Sequence, residues 1–224
     1  LVLMQPECPE IEIHDGGIKL SLNKVFDENF QRGGHNEKFE IAGQSFRIDG
    51  FRLHSPRASK HRLIYAANSR AVITERLDQF IPNFVGRLQD EQGSSFVYLA
   101  VVQGDYLNER VNNFRTDFDI REELEDGQGD LLQVEDLRRS DIRTECLAFV
   151  QRDLAELIDS LNAAKAKRVR DYVRTEAPQY KPLLRYLDQF IGSISPTASK
   201  MDMELALHRE LHQREVSLKR EGSR

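Results

Sequence analysis

Apolar and polar residues alternate along much of the first fifty residues, which is the pattern of strands that bury one face. One pair of alternating segments flanks Asp15-Gly16-Gly17, a tripeptide typical of a tight hairpin turn. A second pair flanks Gly43. The polar stretch between the two pairs, Asp27–Asn36, is expected to be a loop. The pattern therefore predicts two short β-hairpins.

The next sixty residues contain two apolar segments separated by a different periodicity. Residues 61–68 and 96–102 have the composition of strands, and the second segment is apolar throughout, as in a buried strand. Between them, apolar residues recur at intervals of three and one, which predicts an amphipathic helix over residues 74–88. Pro82 lies inside this predicted helix and is expected to kink or restart it.

From about Leu137 the apolar residues recur every three or four positions, as in helices. Because neither Gly nor Pro interrupts residues 141–175, we expect one long helix there, ending before Pro178. A short helix over 183–191 and a last helix from Ser199 follow. The predicted fold class is α+β, followed by an all-α region.

Composition narrows the class of protein. Hydrophobic residues make up 39% of the chain and charged residues 31%, with a net charge of −5. Such a chain has no overall basic field for nucleic acid, although Lys165, Lys167, Arg168, Arg170 and Arg174 form a local basic cluster. No apolar run is long enough to span a membrane, no signal peptide is visible, and two cysteines make no disulfide framework. We therefore expect a cytoplasmic protein without a membrane partner.

Two polar turns are the candidate sites. Asn68-Ser69-Arg70 follows the first apolar strand, and Arg115 follows the second one in the segment 111–118. An arginine offers a planar fork of donors that suits phosphate oxygens. The alternatives are an ion pair of Arg115 with Asp117 or Asp119 and, for Arg70, a solvated side chain on a structural turn.

This order of elements and turns resembles the transducer domain of GHKL ATPases, a superfamily that includes gyrase B subunits, MutL-type repair proteins, ninety-kilodalton heat-shock chaperones and MORC proteins. Asn68-Ser69-Arg70 is similar to the Asn-Gly-Arg turn of MutL-type transducers, and Val111–Phe118 is similar to their segment that carries a phosphate-sensing lysine. The segment Thr175–Leu184 is similar to the helical tail of bacterial GHKL proteins with a chaperone-like domain order. The resemblance is best over residues 40–120.

The resemblance implies a transducer-like sheet with helices on one face, of the kind found in domain 2 of a ribosomal protein. It also implies a phosphate-sensing role in trans for Arg115 and a nucleotide-binding role for Asn68 and Arg70. The predicted regions are residues 1–36, strands and linker from a missing ATP-binding domain; 37–136, the transducer-like domain; and 137–224, the helical region. The chain begins with Leu1 rather than Met, which fits an excised fragment.

The chain lacks the glycine-rich and magnesium-binding motifs of a nucleotide site. The acidic run of residues 117–126 does not have calcium-loop spacing, and His208 and His212 lack the adjacent glutamate of a zinc protease, so no metal site is predicted. We therefore expect the fragment alone to be inactive and to hold no cofactor, whereas the parent would be an ATPase that uses ATP and magnesium.

The predicted function is that of a non-catalytic transducer and helical arm, coupling ATP binding in the missing domain to a partner or client. The helical region is a possible homodimer interface, and nucleic acid is not an expected partner. The alternative is a stand-alone module that binds a protein or nucleic acid without any link to an ATPase. The two functions differ in whether Arg115 projects unpaired from the sheet edge or is paired locally.

Overall fold

The computed structural model describes residues 8–122 and 137–221. The chain divides into two compact units, residues 1–77 with 86–153 and residues 78–85 with 154–224. The first unit contains a mixed sheet and helices, and the second is helical. The α+β class with a helical C-terminal region is therefore confirmed. Residues 123–136, where the sequence predicts a boundary between domains, lie outside the described residues.

The first unit is built on a six-stranded sheet. Its main strands run in the order β3-β4-β8-β5-β6, and β7 pairs with β8 at one end. All neighbouring strands are antiparallel except β5 and β8, which are parallel. A separate hairpin precedes the sheet. The elements of this unit are β1 (Glu12–Asp15), β2 (Ile18–Ser21), α1 (Leu22–Asn29), β3 (Phe30–Ile41), β4 (Gln44–Leu53), β5 (Arg62–Ala67), β6 (Arg70–Arg76), β7 (Leu88–Gln89), β8 (Ser95–Gln103), α2 (Asp105–Arg110) and α3 (Arg139–Asp153).

Three hairpins share one kind of turn. Both central residues have positive φ in the turns Gly16-Gly17, Ala42-Gly43 and Asn68-Ser69. This left-handed geometry matches the right-handed twist of paired strands, and Gly and Asn adopt it at the lowest cost. The two hairpins predicted from alternation are confirmed, together with the strands at residues 61–68 and 96–102.

Two local predictions for the first ninety residues are wrong. Residues 27–36 are not a loop, because α1 extends to Asn29 and β3 begins at Phe30, with a register shift between Arg32 and Asn36. Residues 74–88 do not form a helix. Instead β6 continues to Arg76 in its ladder with β5, and two short 3₁₀ turns, Leu77–Gln79 and Pro82–Phe84, follow.

The failed helix shows how tertiary pairing overrides periodicity. Its apolar residues Leu77, Ile81, Phe84 and Leu88 are indeed buried, so the spacing identified core positions correctly. The backbone of β6, Arg70–Arg76, is extended because its β-branched run from Val72 to Thr74 favours a strand and pairs with β5. Pro82 cannot donate to a helical ladder and begins the second 3₁₀ turn.

One face of the sheet forms the core with α3. Phe46 and Ile48 of β4 and Tyr98 and Val102 of β8 are fully buried on this face, as is Tyr65 of β5. The α3 residues buried there are Ile142, Cys146, Phe149 and Val150. Helix α2 reaches the same face, because the ring of Tyr106 meets the ring of Phe46 edge-on at 6.1 Å.

A partly buried hydrogen bond anchors the end of α3. The hydroxyl of Tyr98 donates to the carboxylate of Asp153, the last residue of the helix. Burial, together with the charge and hydrogen bond of Asp153, strongly raises the pKa of Tyr98, so the phenol stays protonated as a donor. Gly50 makes room for this pair, since a Cβ at that position would lie 2.7 Å from an Asp153 carboxylate oxygen.

The predicted single helix over 141–175 is interrupted. Leu154 has non-helical dihedral angles (φ −114°, ψ 24°) between α3 and α4 (Ala155–Thr175), and the division between the two units falls there. No Gly or Pro marks the break, because the cause is tertiary. Asp153 is held on β8 by Tyr98, whereas Leu154 begins the second unit and is buried.

The second unit packs α4 against the segments that follow it. These are a 3₁₀ stretch (Pro178–Tyr186), α5 (Leu187–Phe190), a 3₁₀ turn (Ile191–Ser193) and α6 (Lys200–Glu221). Helix α6 begins directly after Ser199, close to the start that the sequence predicts. Ser199 caps it: the Ser199 hydroxyl oxygen accepts the backbone N–H of Asp202 (3.2 Å), and the hydroxyl and backbone N–H of Ser199 donate to the Asp202 carboxylate. The core of this unit includes Val169, Val173, Leu183, Leu187, Met203 and Leu207.

We expect Gly50→Ala to destabilise the first unit by about 2–3 kcal/mol, since the added methyl group would displace Tyr98 or Asp153 in a close-packed core. Urea unfolding followed by circular dichroism measures this change. Gly192→Ala is the matched control, because its Cβ would meet nothing within 4 Å. Equal stability of the Gly50→Ala protein and the wild type would show that the Tyr98–Asp153 contact is loose.

Candidate functional site

The loop that carries Arg115 is closed by a single asparagine. Asn112 donates its backbone N–H to the carbonyl of Asp117 (3.0 Å) and accepts the N–H of Arg115 at its own carbonyl (2.9 Å). Its side chain accepts the N–H of Thr116 (3.0 Å) and donates to the Thr116 hydroxyl (3.2 Å). An isolated bridge between Val111 and Phe118 closes the base of the loop. These bonds fix the loop without help from Arg115's side chain.

Arg115 itself is exposed and strained. Its φ of +55° is unusual for a residue with a Cβ, and such strain persists only where the surrounding structure enforces it. Within residues 8–122 and 137–221, its guanidinium makes no hydrogen bond or ion pair. The preceding Phe114 is 87% exposed. The loop therefore presents a cation and an aromatic ring side by side to solvent.

An open cleft of about 710 Å³ lies at the base of the loop. Three of its lining residues, Glu109, Asp117 and Asp119, are acidic and exposed. Arg110 also lines it and lies over the ring of Tyr106, 4.5 Å from the ring centroid. Because three carboxylates line the cleft beside one cation, Arg110, the cleft itself is not suited to an anion. Arg115 does not line the cleft and lies on the adjoining loop.

The second predicted site is a hairpin turn. Asn68 and Ser69 form the turn between β5 and β6, and Arg70 begins β6 with an exposed side chain. The N–H of Asn68 donates to the amide oxygen of Asn108 on α2 at 2.7 Å. This bond joins the turn to the helix that leads into the Arg115 loop. Roles for Asn68 and Arg70 in nucleotide binding stay predictions.

A chain of ion pairs connects the loop to the sheet. Asp117 accepts from Arg139 (3.2 Å), Arg139 donates to Glu122, and Glu122 also accepts from Arg143. Arg143 forms a two-bond fork with Glu75 of β6, each bond 2.9 Å long. Glu75 in turn accepts the hydroxyl of Tyr65 at 3.1 Å. The loop, the start of α3 and the sheet are thus linked by charge-assisted bonds.

Titration follows this geometry. Partial burial acts to raise the pKa of Glu122, but hydrogen bonds from Arg143 and Arg139 outweigh it and lower that pKa. The fork with Glu75 raises the pKa of Arg143, and burial raises the pKa of Tyr65. Near neutral pH Glu122 and Arg143 are therefore charged, while Tyr65 is a neutral donor.

Sequence reasoning missed the ion-pair network. Glu75 and Arg143 are 68 positions apart, and neither lies in a motif. The sequence does indicate the Asn112-Asn113 turn, since Asn bonds its neighbouring backbone readily. It does not indicate that Asp117, one of the two aspartates weighed as partners for Arg115, pairs with Arg139 instead.

The local basic cluster of α4 includes two structural cations. Lys165 is 3% exposed, and its ammonium donates to the Asn83 amide oxygen (2.5 Å) and to the carbonyls of Ile191 (2.8 Å) and Ile194 (2.8 Å). Arg168 binds the carbonyls of Pro196 (2.6 Å) and Ala198 (2.8 Å). These two side chains hold the segment before α6, so the cluster is not a continuous surface for nucleic acid.

Across residues 8–122 and 137–221, no group of three or more histidine, cysteine or acidic residues could hold a metal ion. In the same ranges, no helix combines the length and apolarity that crossing a bilayer requires.

We expect Lys165→Met to destabilise the second unit by about 3–5 kcal/mol, because it removes the ammonium donor from the Asn83 amide oxygen and from the carbonyls of Ile191 and Ile194. Of these three, the Ile191 carbonyl keeps a bond from the Ile194 N–H. Chemical denaturation of the two proteins side by side measures the loss. Lys167→Met, on the same helix but exposed, is the matched control and should change stability by less than about 0.5 kcal/mol. Similar losses in both variants would contradict the structural role of Lys165.

Lys165 also predicts a pH dependence. Burial lowers its pKa to about 8 from an ordinary 10.5, so the unfolded chain binds more protons between these values. The contribution of Lys165 to the free energy of unfolding is therefore smaller below pH 8 and increases as pH rises toward 10.5. The stability difference between wild type and Lys165→Met should widen over that interval by up to about 3 kcal/mol. A constant difference would mean that the lysine titrates normally.

Comparisons with known proteins identify no relative: no family model matches the chain, and no curated protein or solved structure matches it. The likeness to GHKL transducers therefore remains a prediction made from the sequence, and the loop around Arg115 is the feature from which a function can be argued.

Proposed function

We propose that this chain is the transducer and helical arm of a GHKL-type ATPase, in which Arg115 meets the terminal phosphate of ATP bound by a separate ATP-binding domain. In this proposal the chain performs no chemistry alone. ATP and magnesium belong to the ATP-binding domain, and the chain converts the presence of the phosphate into a change in its own contacts with a partner.

The observation that carries the proposal is the state of Arg115. Its guanidinium is exposed and has no partner in the described residues, although Asp117 lies two positions away. Asp117 is bonded to Arg139 and therefore does not neutralise it. The loop's hydrogen bonds fix the backbone of Arg115, and its guanidinium has no ion pair to break when it meets an anion. Phosphoryl-transfer sites require such a placed, available cation of an arginine finger.

The ion-pair network supports the coupling part of the proposal. Contact of Arg115 with a phosphate would move the 112–117 loop, and Asp117 connects that loop to Arg139 on α3. Arg143, one turn along the same helix, is bonded to Glu75 on the sheet. A shift at the loop therefore has a direct route to α3, and α3 is followed by the second unit.

The alternative, a stand-alone module that binds nucleic acid or a protein through a long basic helix, receives less support. The predicted helix is interrupted at Leu154. Lys165 and Arg168, two of its five basic residues, bind carbonyls within the second unit. A local ion pair at Arg115, expected in that alternative, is not present among the described residues.

Steady-state ATP hydrolysis by the parent protein tests the proposal. We expect Arg115→Ala to lower turnover by about 10³-fold, or about 4 kcal/mol, since an arginine finger acts on charge that develops in the transition state. KM for ATP should change little. Arg115→Lys keeps the charge but loses the two-bond fork, so its turnover should lie between that of the wild type and that of Arg115→Ala.

Arg57→Ala is the matched control, because Arg57 is an exposed arginine outside the loop. Circular dichroism should show unchanged folding for the Arg115 and Arg57 variants, since the side chains of these two arginines support no local structure. A parent protein without ATPase activity, or full turnover after Arg115→Ala, would overturn the proposal.

A further inference from the structure

We propose that Phe114 is the apolar anchor by which the Asn112–Phe118 loop docks into a pocket on the ATP-binding domain, so that Arg115 is placed by this insertion. The inference rests on the proposed function for the identity of the partner. It adds a residue that no motif in the sequence indicates, and it assigns the loop two separable tasks, apolar docking and phosphate contact.

Exposure is the first argument. Phe114 is 87% exposed, more than any other large hydrophobic residue among the described exposed ones. The other residues from Asn112 to Asp117 are all polar, so Phe114 has no hydrophobic neighbour within that stretch. A phenylalanine in this state exposes most of its surface to water. Aromatic residues become the anchors of interfaces when a pocket covers them.

Preorganisation is the second argument. The loop is closed by the bonds of Asn112 to Thr116 and Asp117, and it keeps Arg115 at a φ of +55°. A rigid loop loses little conformational entropy on binding, so the burial of one ring contributes nearly in full to affinity. The strain at Arg115 fixes the direction of the chain immediately after Phe114.

Charge selects the class of partner. Glu109, Asp117 and Asp119 line the cleft at the base of the loop, and the whole chain has a net charge of −5. A polyanion or an anionic membrane would be repelled by this border. The acidic border is compatible with a single compact anion beside an apolar pocket, because that anion would contact Arg115 and not the carboxylates. A protein surface that holds a bound phosphate has this combination.

Tryptophan fluorescence measures the docking directly. The chain contains no tryptophan, so Phe114→Trp introduces a single reporter. In the 224-residue chain its emission should be that of a water-exposed indole. In the parent protein, the difference spectrum against the wild type should shift to shorter wavelength when a non-hydrolysable ATP analogue and magnesium are added. An unshifted spectrum would overturn the inference.

Turnover of the parent protein separates docking from phosphate contact. We expect Phe114→Ala to lower ATP turnover by about 30-fold, the size of an interface hot spot, and Phe114→Leu to recover most of it. Met201→Ala is the control, since Met201 is 72% exposed but lies on α6. Melting temperatures should be unchanged, because the ring supports no core.

The outcomes distinguish the two proposals. If Arg115→Ala slows turnover while Phe114→Ala does not, the docking inference fails and the proposed function stands. If neither variant slows turnover, the proposed function fails and the docking inference fails with it. Slowing in both, with rescue by Phe114→Leu and a shifted Phe114→Trp spectrum, supports both.

Discussion

Arg143 is the residue on which the first unit's polar architecture depends. Its guanidinium, 14% exposed, lies between the carboxylates of Glu75 and Glu122. A charge with this little access to water is tolerated only when it is paired with good geometry, and a fork to one carboxylate with a further bond to another satisfies that condition. Because the three residues come from α3, β6 and the segment after the Arg115 loop, the pairing determines where these parts lie relative to one another.

The same principle accounts for many of the basic residues. Arg87 donates to the carbonyls of Ser55 (2.9 Å), Ala58 (2.5 Å) and Ser95 (2.6 Å), and so holds the connector before β5. Lys165 and Arg168 do the same for the segment before α6 in the second unit. Carbonyls of irregular segments have no ladder partner, and long cationic side chains are able to reach them.

This use of cations gives Arg115 its significance. Several arginines of the first unit bind carboxylates or carbonyls, among them Arg47, Arg87, Arg139 and Arg143. Arg115 has neither kind of partner within the described residues. The loop is closed by hydrogen bonds of Asn112 to its own residues, and the Arg115 guanidinium and the Phe114 ring are exposed to solvent. A strained, closed loop that exposes a cation and an aromatic ring contributes little to stability through these two side chains, which is why we propose that they meet a partner.

The sequence alone determined the α+β class, the hairpin turns and the buried strands, since turn residues and alternation act over a few neighbouring positions. Tertiary structure decided the rest. It made residues 70–76 a strand because β5 offered a ladder, and it divided the predicted helix at Leu154 because Asp153 is anchored by Tyr98. It also paired Glu75 with Arg143 and left Arg115 unpaired, since partners so far apart along the chain meet only when the sheet and α3 have packed.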